Sequence, residues 1–337
     1  MRIVVFILFI CLVGCNGTDD VPQEVVPLGY RINDNRFEKD GIAIHLKGVN
    51  AFNSFGVETG ELMADWQVSI VREFIGNLNE QPISGAPILD RKGQFLHSLE
   101  AIVQEHRQNN RVTIICPFGW VDENGEQTLL TGLNPSETSF YEDYKVKMRE
   151  IATYFKGQDD VWFEVWNEPY HFNGENGYTD DLWLNDHIDM VNNLRAIDGF
   201  DNIILVQGNE QGQGETVLFS KGGDLLNRFD NIAFDLHAYG KWHDGATVES
   251  MAQRLNAMLQ AGLPIIFGEV GVITENAGLS DPTIFLNAVQ QLEISTLAWA
   301  WQRDETIQNA LLTTTNMPND NNNGDWGSNF RVFLLGD

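Results

Sequence analysis

Two glutamates close apolar runs of similar design. Val161-Trp-Phe-Glu-Val-Trp-Asn-Glu168-Pro169 ends in a carboxylate, and about a hundred residues on Leu263-Pro-Ile-Ile-Phe-Gly-Glu269 does the same. Two strands that each deliver one glutamate to the same edge of a sheet supply what acid/base and nucleophilic work on a glycosidic bond requires. Other runs also end in polar or aromatic residues. They are Asn50, Arg72, Asn167, His237, Tyr239, Trp299 and Trp301, with Trp120 and Trp242 on the loops beyond the third and sixth runs. Core packing would put apolar residues at those ends, so their recurrence points to a site. A single such residue would not.

The elements that must position these residues alternate between strand and helix. A small hairpin over Tyr30 to Lys39 precedes eight strand-like runs: Ile42 to Asn50, Gln67 to Arg72, Val112 to Pro117, Val161 to Asn167, Ile203 to Gln207, Ile232 to His237, Ile265 to Glu269 and Ser295 to Trp301. Between them, Phe95, Leu96, Leu99, Ile102 and Val103 share one helical face, as do Val248, Met251, Leu255, Met258 and Leu259. Asp281-Pro282 is a helix start, a capping side chain before a proline at the first helical position. Strand-helix alternation repeated eight times predicts an α/β fold, a single (β/α)8 TIM barrel with a short N-terminal hairpin. A doubly wound open sheet is the alternative. No glycine-rich phosphate loop follows the first strand, and Gly208-Asn-Glu-Gln-Gly-Gln-Gly214 lacks the nucleotide fingerprint.

The charge bounds the partners. A net charge of −27 argues against nucleic acid and against polyanionic glycans, so any polysaccharide or oligosaccharide substrate is expected to be neutral. No His/Cys zinc cluster is visible. Asn319-Asp-Asn-Asn-Asn-Gly324-Asp325 resembles a calcium loop but has Phe330 where a bidentate glutamate is needed, so neither metal nor cofactor is expected. Ile3 to Val13 is too short to span a bilayer and reads as a signal-peptide core. Leu12-Val-Gly-Cys15 resembles a bacterial lipobox, with Cys15 as the lipidated residue, and Asp19-Asp20 resembles a surface-export signal. The expectation is a signal peptide over residues 1–15, a polar tether over 16–27 and a catalytic domain over 28–337. That protein is exported, monomeric and held at the outer membrane or cell surface only by its lipid. Cys116 reads as a small buried side chain, Trp162 and Trp166 as core, and His106 and His187 as structural.

Taken together, the motifs resemble glycoside hydrolase family 5. They are Lys47-Gly-Val-Asn50, Ile70-Val-Arg72, Trp166-Asn-Glu-Pro169, Leu236-His-Ala-Tyr239, Phe267-Gly-Glu269 and Ala298-Trp-Ala-Trp301. The resemblance implies Glu168 as acid/base and Glu269 as nucleophile, with Glu168 raised in pKa by an anionic Glu269 and by partial burial. It further implies that Asn167 holds the sugar 2-hydroxyl, that Arg72 and Tyr239 serve Glu269, and that His237 binds a sugar hydroxyl or orients the pair. Trp299 would form the floor beneath the reacting sugar. Asn50 is a candidate sugar contact, and Trp120, Trp242 and Trp301 are candidate sugar platforms. One departure is Cys116-Pro-Phe-Gly-Trp120, where the family usually places a histidine near the end of strand three. From Leu205 onward the chain resembles bacterial β-mannanases, through Gln207 to Gln213, Leu236 to Gly240 and Asp325-Trp-Gly-Ser. Endo-β-1,4-mannanase is therefore the expectation, with endo-β-1,4-glucanase next. A glycan-capturing surface lipoprotein without catalysis is the reading from another class.

Overall fold

The structure, a computed structural model, describes residues 29–58, 60–273 and 281–336. The expected signal peptide, Cys15 and the expected tether lie outside the described residues. Eight parallel strands close into a barrel in sequential order. They are β1 (Lys47–Ala51), β2 (Ile70–Ile75), β3 (Val112–Pro117), β4 (Val161–Glu164), β5 (Ile204–Gln207), β6 (Ile232–Ala238), β7 (Ile265–Val270) and β8 (Thr296–Ala298). Helices α1 (Glu61–Asp65), α2 (Leu99–Gln108), α3 (Tyr141–Phe155) and α4 (Asp180–Arg195) follow the first four strands. After β5 a π-type turn, Leu218–Gly222, runs into α5 (Gly223–Leu226). Helices α6 (Val248–Gln260), α7 (Pro282–Gln291) and α8 (Trp326–Leu335) complete the ring.

Strand alternation sorts the side chains into two cores. Val71, Ile115, Phe163, Val206, Phe234 and Phe267 join the large cluster shared with the helices. Their sequence neighbours Ile70, Ile114, Trp162, Leu205, Ala233 and Ile266, joined by Leu297 of β8, form a second cluster inside the barrel. Two residues further along the same strands the interior turns polar, with Arg72, Glu164, Gln207 and Asp235 all buried.

The expected hairpin is a three-stranded antiparallel sheet, Tyr30–Asn33, Arg36–Lys39 and Ile42–Ala43. Phe37 on it stacks against Trp162 at 5.1 Å and 10°, closing the barrel base. Two expectations are corrected here. Ile42–Ala43 belongs to this sheet, so the first barrel strand begins only at Lys47. Phe95 and Leu96 are not helical but pair with Ile88–Leu89 in a ribbon, because Ser98 caps α2 by accepting from the Ala101 amide and so fixes its start. Asp281 caps α7 ahead of Pro282. His106 and His187 are buried against Glu73 and the Trp183 carbonyl. In the Asn-rich loop, Asn319 and Asn323 donate to main-chain carbonyls, which ties the loop to the barrel rim.

Trp162→Ala should lower the free energy of unfolding by about 3–5 kcal/mol in urea titration, as for other buried tryptophans. A loss below about 1 kcal/mol would mean that the Phe37–Trp162 stack does not hold the base shut.

Candidate active site

Arg72 leaves β2 inside the barrel with its side chain 1% exposed. Its Nε and Nη2 donate to the two oxygens of Glu164 at 2.6 and 2.9 Å. Its Nη1 donates to Glu269 Oε1 at 2.6 Å and to Asn50 Oδ1 at 2.8 Å, and Nη2 also reaches Asn167 Oδ1 at 2.7 Å. One planar fork therefore fixes residues from three strands and the turn after β4. Asn50 is corrected from a sugar contact to an internal strap: it is fully buried, and its Nδ2 donates to the Gly268 and Ala298 carbonyls. Arg72 likewise serves the carboxylates from below.

Asp235 and Gln207 complete the polar tier. The Gln207 amide lies 2.5 Å from Glu164 Oε1 and 3.0 Å from Asp235 Oδ2, and the Gly268 amide donates to Asp235 Oδ1 at 2.5 Å. A Cβ on residue 268 would fall 2.0 Å from the Asp235 carboxylate, so only glycine fits before Glu269. Burial, with the charge of Glu164 adding to it, pushes Asp235 well above the carboxylate range. Glu164 and Asp235 are not among the residues expected from sequence, and Gln207 enters there only as the end of its run. The signal for the first two is a polar residue in the middle of an apolar run rather than at its end.

Above this tier sit the two glutamates. Glu269 accepts from Arg72 on Oε1 and from the Tyr239 hydroxyl on Oε2 at 2.6 Å. Burial raises its pKa, while His237, Arg72 and Tyr239 oppose the rise. Glu168 follows β4 in a left-handed turn at φ 43°, held by hydrogen bonds from the Gly132 amide to its carbonyl and from the Tyr170 amide to Leu133. Its Oε2 accepts from Thr131, its Oε1 lies 2.8 Å from His237 Nδ1, and its side chain is 16% exposed. Burial lifts it to about 7, with Arg72 and Thr131 opposing. The charge that adds to the rise is Glu164's, not Glu269's as the sequence led us to expect.

His237 is buried and lowered to about 4, hence neutral near pH 7. With the Gln207 amide facing its Nε2 at 3.1 Å, the ring proton belongs on Nδ1, which donates to Glu168. One oxygen of each glutamate and a His237 nitrogen lie within 4.8 Å of one another. Glu168, His237 and Glu269 are close enough to share a cation, as are Glu164, Asp235 and His237. In both sets the Arg72 guanidinium already takes up a carboxylate's lone pairs.

The pair opens into a cleft of about 1120 Å³ lined by Phe118, Tyr239, Trp299 and loop residues beyond β4, β5, β6 and β7. Phe118 lies 6.3 Å from Trp299 with its ring nearly parallel; Phe74 packs on both and Phe52 on Trp299. Three expected platforms are corrected. Trp120 is buried beneath Phe140 in a short hairpin, because β3 ends at Pro117 and the first residue beyond it, Phe118, takes the cleft position. Trp242 is buried under Arg254 and donates to the Gln213 carbonyl. Trp301 does not share the face of Trp299, since β8 ends at Ala298 and strand alternation lapses; it packs on Trp66 and donates to Glu58.

The model of the family described as Cellulase (glycosyl hydrolase family 5) matches residues 37–305. The chain belongs to glycosyl hydrolase family 5. Among its relatives, the mannan endo-1,4-beta-mannosidase of Cellvibrio japonicus (strain Ueda107) is 29% identical over 196 residues, 57% of this chain and 41% of that protein. The chain thus spans about two fifths of the length of that relative. The catalytic domain of mannanase from Streptomyces sp. SirexAA-E shares the fold, with a TM-score of 0.69 at 19% identity over 95% of this chain and 93% of the other. So does the β-mannanase from Streptomyces thermolilacinus solved with mannohexaose, with a TM-score of 0.68 at 20% identity over 92% and 95%. In this family 5 chain, the matched span holds all eight barrel strands and both glutamates.

The burial of Glu168 is measurable on its own. In the glutamate-labelled protein, carbon NMR should show one carboxyl titrating near 7 that disappears in Glu168→Gln. A Glu168 midpoint at the ordinary value of about 4.3 would contradict the burial argument.

Proposed function

We propose that this family 5 protein is a retaining endo-β-1,4-glycanase whose substrate is β-mannan or glucomannan. The observation that carries the reading is the close carboxylate pair. Oxygens of Glu168 and Glu269 lie within 4.8 Å, whereas an inverting pair stands roughly 6.5–9.5 Å apart to admit a water. Glu269, aimed by Arg72 and Tyr239, attacks the anomeric carbon as the glycosidic C–O bond breaks, and Glu168 gives its proton to the departing oxygen. The Glu168 carboxylate then takes a proton from the water that attacks the same carbon and releases Glu269. A pKa near 7 lets one group act first as acid and then as base.

Asn167, its Oδ1 fixed by Arg72, has its amide nitrogen only 3.3 Å from Thr131 and is the group for the 2-hydroxyl. Trp299 offers its ring to the sugar's CH face. The names of the relatives support mannan, and the open cleft supports internal cleavage. The family description, cellulase, makes β-glucan the competing substrate. Export and lipid attachment at Cys15 belong to the same reading, supported by Leu12-Val-Gly-Cys15. Labelled palmitate should enter the wild type and not Cys15→Ser; equal labelling of both would remove the anchor.

Reducing-sugar release should favour glucomannan and mannan over carboxymethylcellulose and xylan. Equal or faster release from carboxymethylcellulose would replace mannan with glucan. Glu269→Ala should fall to background while keeping its melting temperature and its affinity for manno-oligosaccharides. A wild type that binds these polymers without cleaving them would favour capture. Because the acid works only when protonated, kcat/KM should decline as pH rises through about 7. An activity still rising at pH 9 would contradict Glu168 as the acid.

A further inference from the structure

We propose that Glu210 and Lys241 hold the sugar of the leaving group, bracketing adjacent hydroxyls with one charged acceptor and one charged donor in place of an aromatic platform. The assignment rests on the glycanase reading above. Glu168 and Glu269 divide the mouth of the barrel, since β5 and β6 lie between β4 and β7 on one side and β8, β1, β2 and β3 lie on the other. The clustered aromatics Trp299, Phe118, Phe74 and Phe52 all belong to the second side. A sugar seated on Trp299 with its scissile oxygen at Glu168 must send its leaving group over the first.

That side is polar. Glu210 lies beyond β5 and Lys241 in the turn after β6, Gly240–His243. Both line the cleft, and Lys241 Nζ pairs with Glu210 Oε2. Gln211 and Gln213 flank them. The loop is referenced to the acid itself, because the Gln211 amide donates to the Pro169 and Tyr170 carbonyls and the His237 amide donates to the Gly212 carbonyl. Glu210 and Gln211 both take left-handed backbone, at φ 52° and 55°, which the loop imposes to turn back on the acid. The side chains are 41% and 25% exposed for Lys241 and Glu210. An ion pair so exposed adds little to stability, so its place in the cleft of a protein acting on a neutral polymer is better explained by hydroxyl recognition.

The test compares mannopentaose, whose leaving group is a sugar, with 4-nitrophenyl β-mannobioside, whose leaving group is not. The ratio of their kcat/KM values should fall about tenfold in Glu210→Gln and in Lys241→Met, the loss of one charged hydrogen bond. The double variant should lose less than the product of the two. Lys241→Arg, which keeps the charge, should recover part of the ratio, and melting temperatures identify any variant that fails to fold. An unchanged ratio in folded variants would overturn the assignment and leave the pair as a tether between loops. A wild type that cleaves neither manno- nor gluco-oligosaccharides would overturn the underlying glycanase reading instead.

Discussion

A single buried guanidinium sets the geometry on which everything above it depends. Arg72 touches Glu164, Asn50, Glu269 and Asn167. Moving it would therefore displace one of the paired carboxylates and the asparagine beside the other. Breaking such a buried pair costs about 3–5 kcal/mol, mostly by leaving a charge uncompensated, against a total stability of about 5–15 kcal/mol for a typical domain. The raised pKa of Asp235 reduces the demand, since the guanidinium faces two carboxylates rather than three when Asp235 is protonated. The Gly268 amide and the Gln207 amide hold Asp235 in place.

The same tier explains how two chemically identical side chains come to differ. Glu269 receives a cationic donor and a phenol, both at 2.6 Å. Glu168 receives only a threonine hydroxyl and a neutral histidine ring, and it sits on a turn rather than in a strand. Donors aimed at a carboxylate favour its ionised form, and burial without them favours the protonated one. The proposed division of labour between acid and nucleophile thus comes from which of the two carboxylates Arg72 and Tyr239 reach.

Much of this was legible in the sequence because strand alternation and strand ends are local properties. The eight strands and the two glutamates follow from the runs themselves, whereas the contacts of Arg72 and Tyr239 with Glu269 come only through the resemblance to the family. Most of what failed lay past a strand's last hydrogen bond, where alternation no longer fixes a side chain's direction. Trp120, Trp242 and Trp301 are equally aromatic on paper, yet each finds a partner only tertiary structure supplies: Phe140, Arg254 and Trp66. Phe95 and Leu96 fit a helical face but are claimed by Ile88 and Leu89 across a ribbon. Glu164, Gln207 and Asp235 could have been found, because a polar residue inside a buried strand must have a partner.

Cys116 shows how a departure at one position is absorbed by its neighbours. It opens the segment to Trp120 that stands where the family usually places a histidine, and its thiol, raised by burial, makes only a 3.9 Å contact with Asn167 Oδ1. Asn167 does not depend on that contact, since Arg72 Nη2 holds the same oxygen at 2.7 Å. Phe118, two residues on, lies beside Trp299 in the cleft lining. In the proposed reading, polar contact with the sugar falls on Asn167, the two glutamates and the wall beyond β5 and β6. An aromatic floor facing a hydrogen-bonding wall suits a neutral sugar, which has one CH-rich face and a rim of hydroxyls.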